Sequence, residues 1–346
     1  MTNTTYSSDL APVSNNLRSI AVWLFIMASL IALMVVVGGL TRLTDSGLSI
    51  TEWKPVTGAI PPLSAADWDV EFAKYQASPE YQLQNTGMAL AEFKSIFWWE
   101  WGHRLLGRFI GIAFAVPLLY FLITRQATGR RAVWLIFLLL LGGAQGFVGW
   151  LMVASGLEDG MTDVSHYRLA AHLGLAVLIY GFVLWTALTY SRNTRVSHRR
   201  AGAGMALLFV GLVFAQICAG AFVAGLDAGI VNTTWPLIDG ALVPEGLDWT
   251  WRGFEDRLTV QFMHRMLAYG CVLFALILWP SARRVAPAAA NWVLIIVLAQ
   301  TALGITVLTS AASLTHIWMA AAHQLGALVL FTAAIVLLTC LRPSAV

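Results

Sequence analysis

Four histidines in this chain have the type and spacing to do metal chemistry. His103, His172, His264 and His323 each stand at the opening of a long apolar stretch, and each is followed one helical turn later by a small residue: Gly107, Ala176, Ala268 and Ala327. A neutral imidazole is a common metal ligand. Two histidines facing one another at one depth can hold the iron of a planar macrocycle from both sides, and a flat ring lying along a helix needs the space that Gly or Ala leaves. A lone histidine near a membrane interface is more simply a snorkelling or hydrogen-bonded side chain, but four in repeated register favour the ligand reading. A di-iron or zinc site would require acidic or thiolate partners beside the same histidines. Only Glu100 meets that description, and only beside one of them.

Glu100 lies three residues before His103, so on a helix the two share a face. It could act as a general base or stabilise a cation. The matching position before His264 is Gln261, which cannot take up a proton at neutral pH. Arg104 and Arg265 follow the two histidines directly, with Arg108 one turn on; they can pair with the propionates of a porphyrin, with loop carboxylates or with headgroups. Trp98, Trp99, Trp101, Trp249 and Trp251 read as an interfacial aromatic belt. His166 and His316 precede apolar stretches at near-equivalent places without being expected ligands, and His198 falls in a basic loop.

The elements that must position these groups are membrane helices. Of 346 residues, 58% are hydrophobic and 11% charged, with a mean hydropathy of +0.73, outside the range of an ordinary soluble domain. A span needs roughly 20 apolar residues. Eight are expected, near 20–40, 105–123, 132–154, 169–188, 203–224, 260–280, 291–308 and 317–341. Arginines crowd the alternate short loops (Arg125, Arg130 and Arg131; Arg192, Arg195, Arg199 and Arg200; Arg283 and Arg284), which places those loops and both termini in the cytoplasm. The net charge of +3 is thereby explained by topology and implies no nucleic-acid partner. No signal or transit peptide is evident before residue 20, which favours a bacterial plasma membrane. Cys218, Cys271 and Cys340 all fall inside expected spans, so no loop disulfide is available.

The chain is written twice. Asp45, Gly47, Trp53, Gly58 and Pro62 match Asp227, Gly229, Trp235, Gly240 and Pro244 at one offset. His103-Arg104 matches His264-Arg265, Gln145 with Gly149 matches Gln300 with Gly304, and Ala170-Ala171-His172 matches Ala321-Ala322-His323. The expected fold is an all-α integral membrane protein, eight transmembrane helices as two tandem pseudo-symmetric four-helix bundles related by an axis along the membrane normal. Residues 1–19 are expected to be a cytoplasmic tail, 20–190 the first half with a long outer loop at 41–102, 191–202 a basic linker and 203–346 the second half. Within the loop, Ser64 is expected to cap a short helix running through Asp67, Asp69 and Glu71.

This pattern resembles the haem A synthase family, over almost the whole chain. The resemblance rests on Glu100-Trp101-Gly102-His103-Arg104, matching a Glu-x-x-His-Arg motif, on the other three histidines, and on the duplicated segment that follows the first span. It implies that His264 and His323 hold a haem b cofactor and that His103 and His172 line the site for haem O. A methyl group of haem O would be oxidised, through hydroxylated intermediates that lose water, to the formyl group of haem A. Glu100 would be the catalytic residue. Haem O synthase, cytochrome oxidase assembly and an unidentified electron acceptor are the implied partners, and a homo-oligomer is open. Many relatives carry a cysteine pair in an outer loop; here the loops have none, so the chain resembles a cysteine-free subtype. Two other readings use the same ligands: a di-haem electron carrier, and a haem chaperone in which Glu100 is structural. All four histidines lie towards the outer face, which disfavours a relay across the bilayer.

Overall fold

A computed structural model describes residues 15–192, 202–311 and 316–342. Among them are ten α-helices, a few short 3-10 turns and no strand: α1 (Asn15–Leu43), α2 (Ala65–Gln76), α3 (Pro79–Leu83), α4 (Leu90–Ile123), α5 (Gly129–Gly156), α6 (His166–Ser191), α7 (Ala203–Gly225), α8 (Arg257–Ala282), α9 (Pro287–Thr309) and α10 (His316–Leu341). All but α2 and α3 are long and apolar enough to cross a membrane, which makes this a multi-pass membrane protein. Arg195, His198, Arg199 and Arg200, expected in the basic linker, lie outside the described residues.

Packing reproduces the duplication. In the first half α1 contacts α4 and α6, while α5 contacts α4 and α6; in the second, α7 contacts α8 and α10, while α9 contacts α8 and α10. The halves meet through α6–α7, α1–α10 and α6–α10, so α1, α6, α7 and α10 form the centre and the other four spans flank it. Half of the apolar window of α6 and of α10 is buried, against 6% for α5 and 11% for α9. The central seam has small residues and a few polar contacts, as membrane helices pack. The Tyr180 hydroxyl meets Thr332 Oγ1 at 2.6 Å between α6 and α10. Gln324 Nε2 donates to the Val35 carbonyl across α10 and α1 at 2.7 Å, in space kept open by Gly39. All three cysteines are free, within α7, α8 and α10.

Two boundaries differ from expectation. Residues 90–102 are helical, so the long loop after α1 ends at Ala89 and α4 begins about 20 Å before His103. The Glu92 carboxylate turns back to accept from Ala89 N–H at 2.8 Å. Phe93 and Phe97 then bury against Trp68 and Tyr75 of α2, a small aromatic core separate from the membrane bundle. The histidines also sit inside their helices instead of opening them: α8 starts at Arg257, where the Asp256 side chain accepts from Thr259 N–H at 2.7 Å. The Ser64 cap forms as expected, accepting from Asp67 N–H at 3.2 Å while Asp67 accepts from Ser64 N–H at 2.9 Å.

The duplication extends to backbone conformation. Asp45 and Asp227, matched by sequence, both turn through the left-handed region, with φ of 47° and 49°. Arg42 joins the two turns: it donates to Asp45 Oδ1 at 2.8 Å and to Asp227 Oδ1 at 3.0 Å.

Candidate functional site

Each of the four histidine rings lies against a glycine of a neighbouring helix. A Cβ on Gly149 of α5 would stand 2.7 Å from His172 Cε1, and one on Gly304 of α9 would stand 2.8 Å from His323 Cε1. On Gly38 of α1 it would meet His103 Nε2 at 3.0 Å, and on Gly220 of α7 His264 Cε1 at 3.1 Å. Any side chain at these four places would push a ring aside. In the second half the imidazoles of His264 and His323 have centroids 6.5 Å apart and planes at 81°. Two metal–imidazole bonds of about 2 Å, with about 1 Å from each nitrogen to its ring centre, give roughly 6 Å. The observed separation is close to that value.

Three of the rings are held by glutamines that stand one turn before the glycine on the same helix. Gln145, Gln216 and Gln300 each bring Nε2 to within 3.0–3.1 Å of Nδ1 of His172, His264 and His323. Each also donates to that histidine's own carbonyl, at 3.0, 3.1 and 2.8 Å. All three Oε1 atoms are buried without a partner, which leaves an acceptor ready for an Nδ1–H once the other ring nitrogen faces a metal. Gln145 and Gln300 were visible as part of the repeat; Gln216 and the common role were not. The signal was a Gln-x-x-x-Gly spacing shared by α5, α7 and α9.

Glu100 and Arg104 form the second element. Glu100 is 2% exposed. Its Oε2 accepts from Ser49 Oγ and from Ile50 N–H, both at 2.7 Å, and its Oε1 accepts from Arg104 Nε at 3.0 Å and Nη2 at 2.5 Å. Arg104 goes on to the carbonyls of Ile50 (2.7 Å) and Glu52 (3.0 Å). The second half repeats the arrangement: Gln261 Nε2 donates to the carbonyls of Ala228 and Asn232, and Arg265 donates to those of Asn232 and Thr234. Both arginines therefore tie the preceding loop to the helix that carries the histidine. Arg104 has every guanidinium nitrogen engaged, while Arg265 keeps Nε buried and unpaired.

Outside the spans, the loop beside Glu100 is strongly polar. Lys74 bridges Glu52 and Glu71 at 2.8 and 2.7 Å, and Lys54 reaches Glu52 at 2.6 Å. Those hydrogen bonds hold the Glu52 carboxyl below its usual range. Burial pushes the Glu80 carboxyl up to about 8. Arg108 ties down the same loop through the Lys54 and Pro55 carbonyls, both at 2.9 Å. Trp98 and Trp101 pack on the aromatic core around Trp68, whereas Trp249 and Trp251 are exposed. His166 packs on Tyr167 and Phe222, consistent with a packing role at the seam between halves.

Residues 21–335 match the family model described as cytochrome oxidase assembly protein (COX15-CtaA). Three curated relatives, each named haem A synthase, align over most of their length. The chain is 52% identical to that of Parvibaculum lavamentivorans over 92% of this chain and 93% of the relative. It is 50% identical to that of Dinoroseobacter shibae, over 90% and 84%. It is 49% identical to that of Rhodopseudomonas palustris strain TIE-1, over 94% and 89%.

Proposed function

The chain belongs to the COX15-CtaA family of cytochrome oxidase assembly proteins, and from that membership we propose that it is a haem A synthase, oxidising a methyl group of haem O to the formyl group of haem A. Identity near 50% to relatives of that name, across nearly the whole chain, supports the assignment. The observation that carries the site is the fourfold cradle: four histidines, each against a glycine, in two equivalent pairs.

The two pairs take different roles. His264 and His323 are the ligands of a resident haem b, which supplies a redox centre when bound; the perpendicular rings 6.5 Å apart support this. His103 and His172 receive haem O. Glu100 stands one turn from His103, buried and charge-paired, and serves as the group that accepts a proton or steadies positive charge as the methyl is oxidised. Gln261, in the same place beside the cofactor pair, lacks that capacity. Arg104 acts by holding Glu100 and the loop over the site; a propionate contact by Arg104 or Arg265 would have to be made alongside these loop bonds. The protein sits in a bacterial plasma membrane with both termini cytoplasmic and the histidines towards the outer face.

Pigment extraction from the purified protein tests the reading. Haem b together with haem O or haem A is expected. Haem b alone, in both halves, would make the chain an electron carrier instead.

A further inference from the structure

His103 differs from the other three histidines in what holds its ring. The place one turn before its cradle glycine, occupied by Gln145, Gln216 and Gln300 in the other three cases, is Met34. Among the described residues, no hydrogen bond reaches the His103 imidazole, whereas each of the others has an amide on Nδ1 and on its own carbonyl. Met34 instead points along the groove between α1 and α4, its methyl 3.2 Å from where a Cβ on Gly107 would stand. A thioether is flexible and only a weak acceptor, so at this place it offers the His103 ring no directed amide hydrogen bond.

Resting on the assignment of the first half as the haem O site, we propose that Met34 makes His103 the exchangeable ligand, the one that opens to admit the porphyrin substrate and to release product. The glutamines act as positioning residues for the other three. With iron on the other ring nitrogen, Nδ1 carries the proton and donates it to the amide oxygen, and a clamped ring must break that bond before it can turn away from iron. The His103 ring has none to break. The cofactor pair is clamped on both sides, by Gln216 and Gln300, and the substrate pair on one side only, by Gln145. That is the asymmetry an enzyme needs if one porphyrin stays and the other turns over.

The test follows haem transfer from the detergent-solubilised holoprotein to excess apomyoglobin by absorption. The unaltered protein is expected to show a fast and a slow phase, with the fast phase lost in His103→Ala and the slow phase retained. Met34→Gln is expected to slow the fast phase about fivefold, the equivalent of one added neutral hydrogen bond, without changing the slow phase. Met34→Leu, which adds no donor, is expected to keep the fast phase. Gln300→Met should accelerate the slow phase. A fast phase with the same rate in Met34→Gln as in the unaltered protein, in a protein that folds and binds both haems, would overturn the proposal while leaving the haem O site standing. A haem content unchanged by both His103→Ala and His172→Ala would overturn the haem O site itself, and this proposal with it.

Discussion

Glu100 and Gln261 hold the same point of the duplicated loop, Ile50 and Asn232, with opposite hydrogen-bond polarity. The carboxylate accepts from the Ile50 N–H, and the amide donates to the Asn232 carbonyl. Each loop presents to its helix the atoms that suit the side chain it finds there: a hydroxyl and an N–H over Glu100, two carbonyls over Gln261. The loss of the acid in the second half is thus matched by its surroundings.

That complementarity makes the two exchanges unequal. Glu100→Gln keeps an amide oxygen for Ser49 and Ile50 but turns an NH2 group on Arg104, which loses both hydrogen bonds to that side chain, a loss of about 1–3 kcal/mol. Gln261→Glu keeps the Arg265 contact at one oxygen but sets the other, buried, against the Ala228 and Asn232 carbonyls, at a cost of about 3 kcal/mol or more. Thermal unfolding in detergent should therefore place Gln261→Glu well below Glu100→Gln. Glu100→Gln should retain bound haem and lose haem A formation; normal haem A output from that variant would remove Glu100 from the chemistry and leave it as a loop anchor.

The glycine cradles predict a graded series. Gly149→Ala and Gly304→Ala bring a methyl within 3.0 Å of a ring atom and must displace His172 and His323, whereas Gly220→Ala, at 3.1 Å, asks for a shift of tenths of an ångström. The haem-to-protein ratio should fall most for Gly304→Ala in the second half and less for Gly220→Ala. Gly211→Ala, on α7 with open space around it, is the control and should leave the ratio unchanged. Equal ratios across the series would mean that the rings are not confined by these glycines.

Much of this arrangement was legible in the residues. Histidines in apolar helices are costly enough to be noticed, and the repeat put them in pairs. The eight spans follow from hydropathy alone, since every backbone group in a bilayer must be satisfied within the helix. The start of α4 was hidden because Glu92, Lys94 and the tryptophans read as interface; what makes 90–102 helical is the burial of Phe93 and Phe97 on Trp68 and Tyr75, a contact between segments far apart in the chain. Gln216 does not stand out in the sequence because an amide in an apolar helix announces no chemistry by itself, and Gly220 reads as ordinary packing. Arg104 is equally suited by sequence to a propionate or to the loop, and only the fold shows two loop carbonyls and the Glu100 carboxylate of its own helix already in place around the guanidinium.

Glu80 predicts a pH dependence of the cap that α2 and α3 form with the aromatic start of α4. It is 3% exposed, with Oε2 unpartnered, and burial raises its carboxyl from 4.5 to about 8. Between those values the folded cap holds a proton that the unfolded cap has released. Stability is therefore fully present below about pH 4.5 and declines as pH rises towards 8. Replacing it with Gln keeps the shape and removes the proton. Protease cleavage between residues 64 and 89 should accelerate from pH 6 to pH 8 in the unaltered protein, after correction for the protease's own pH profile, and Glu80→Gln should be cleaved more slowly than the unaltered protein at pH 8. An identical pH profile in the two proteins would show that Glu80 is already ionised in the folded cap.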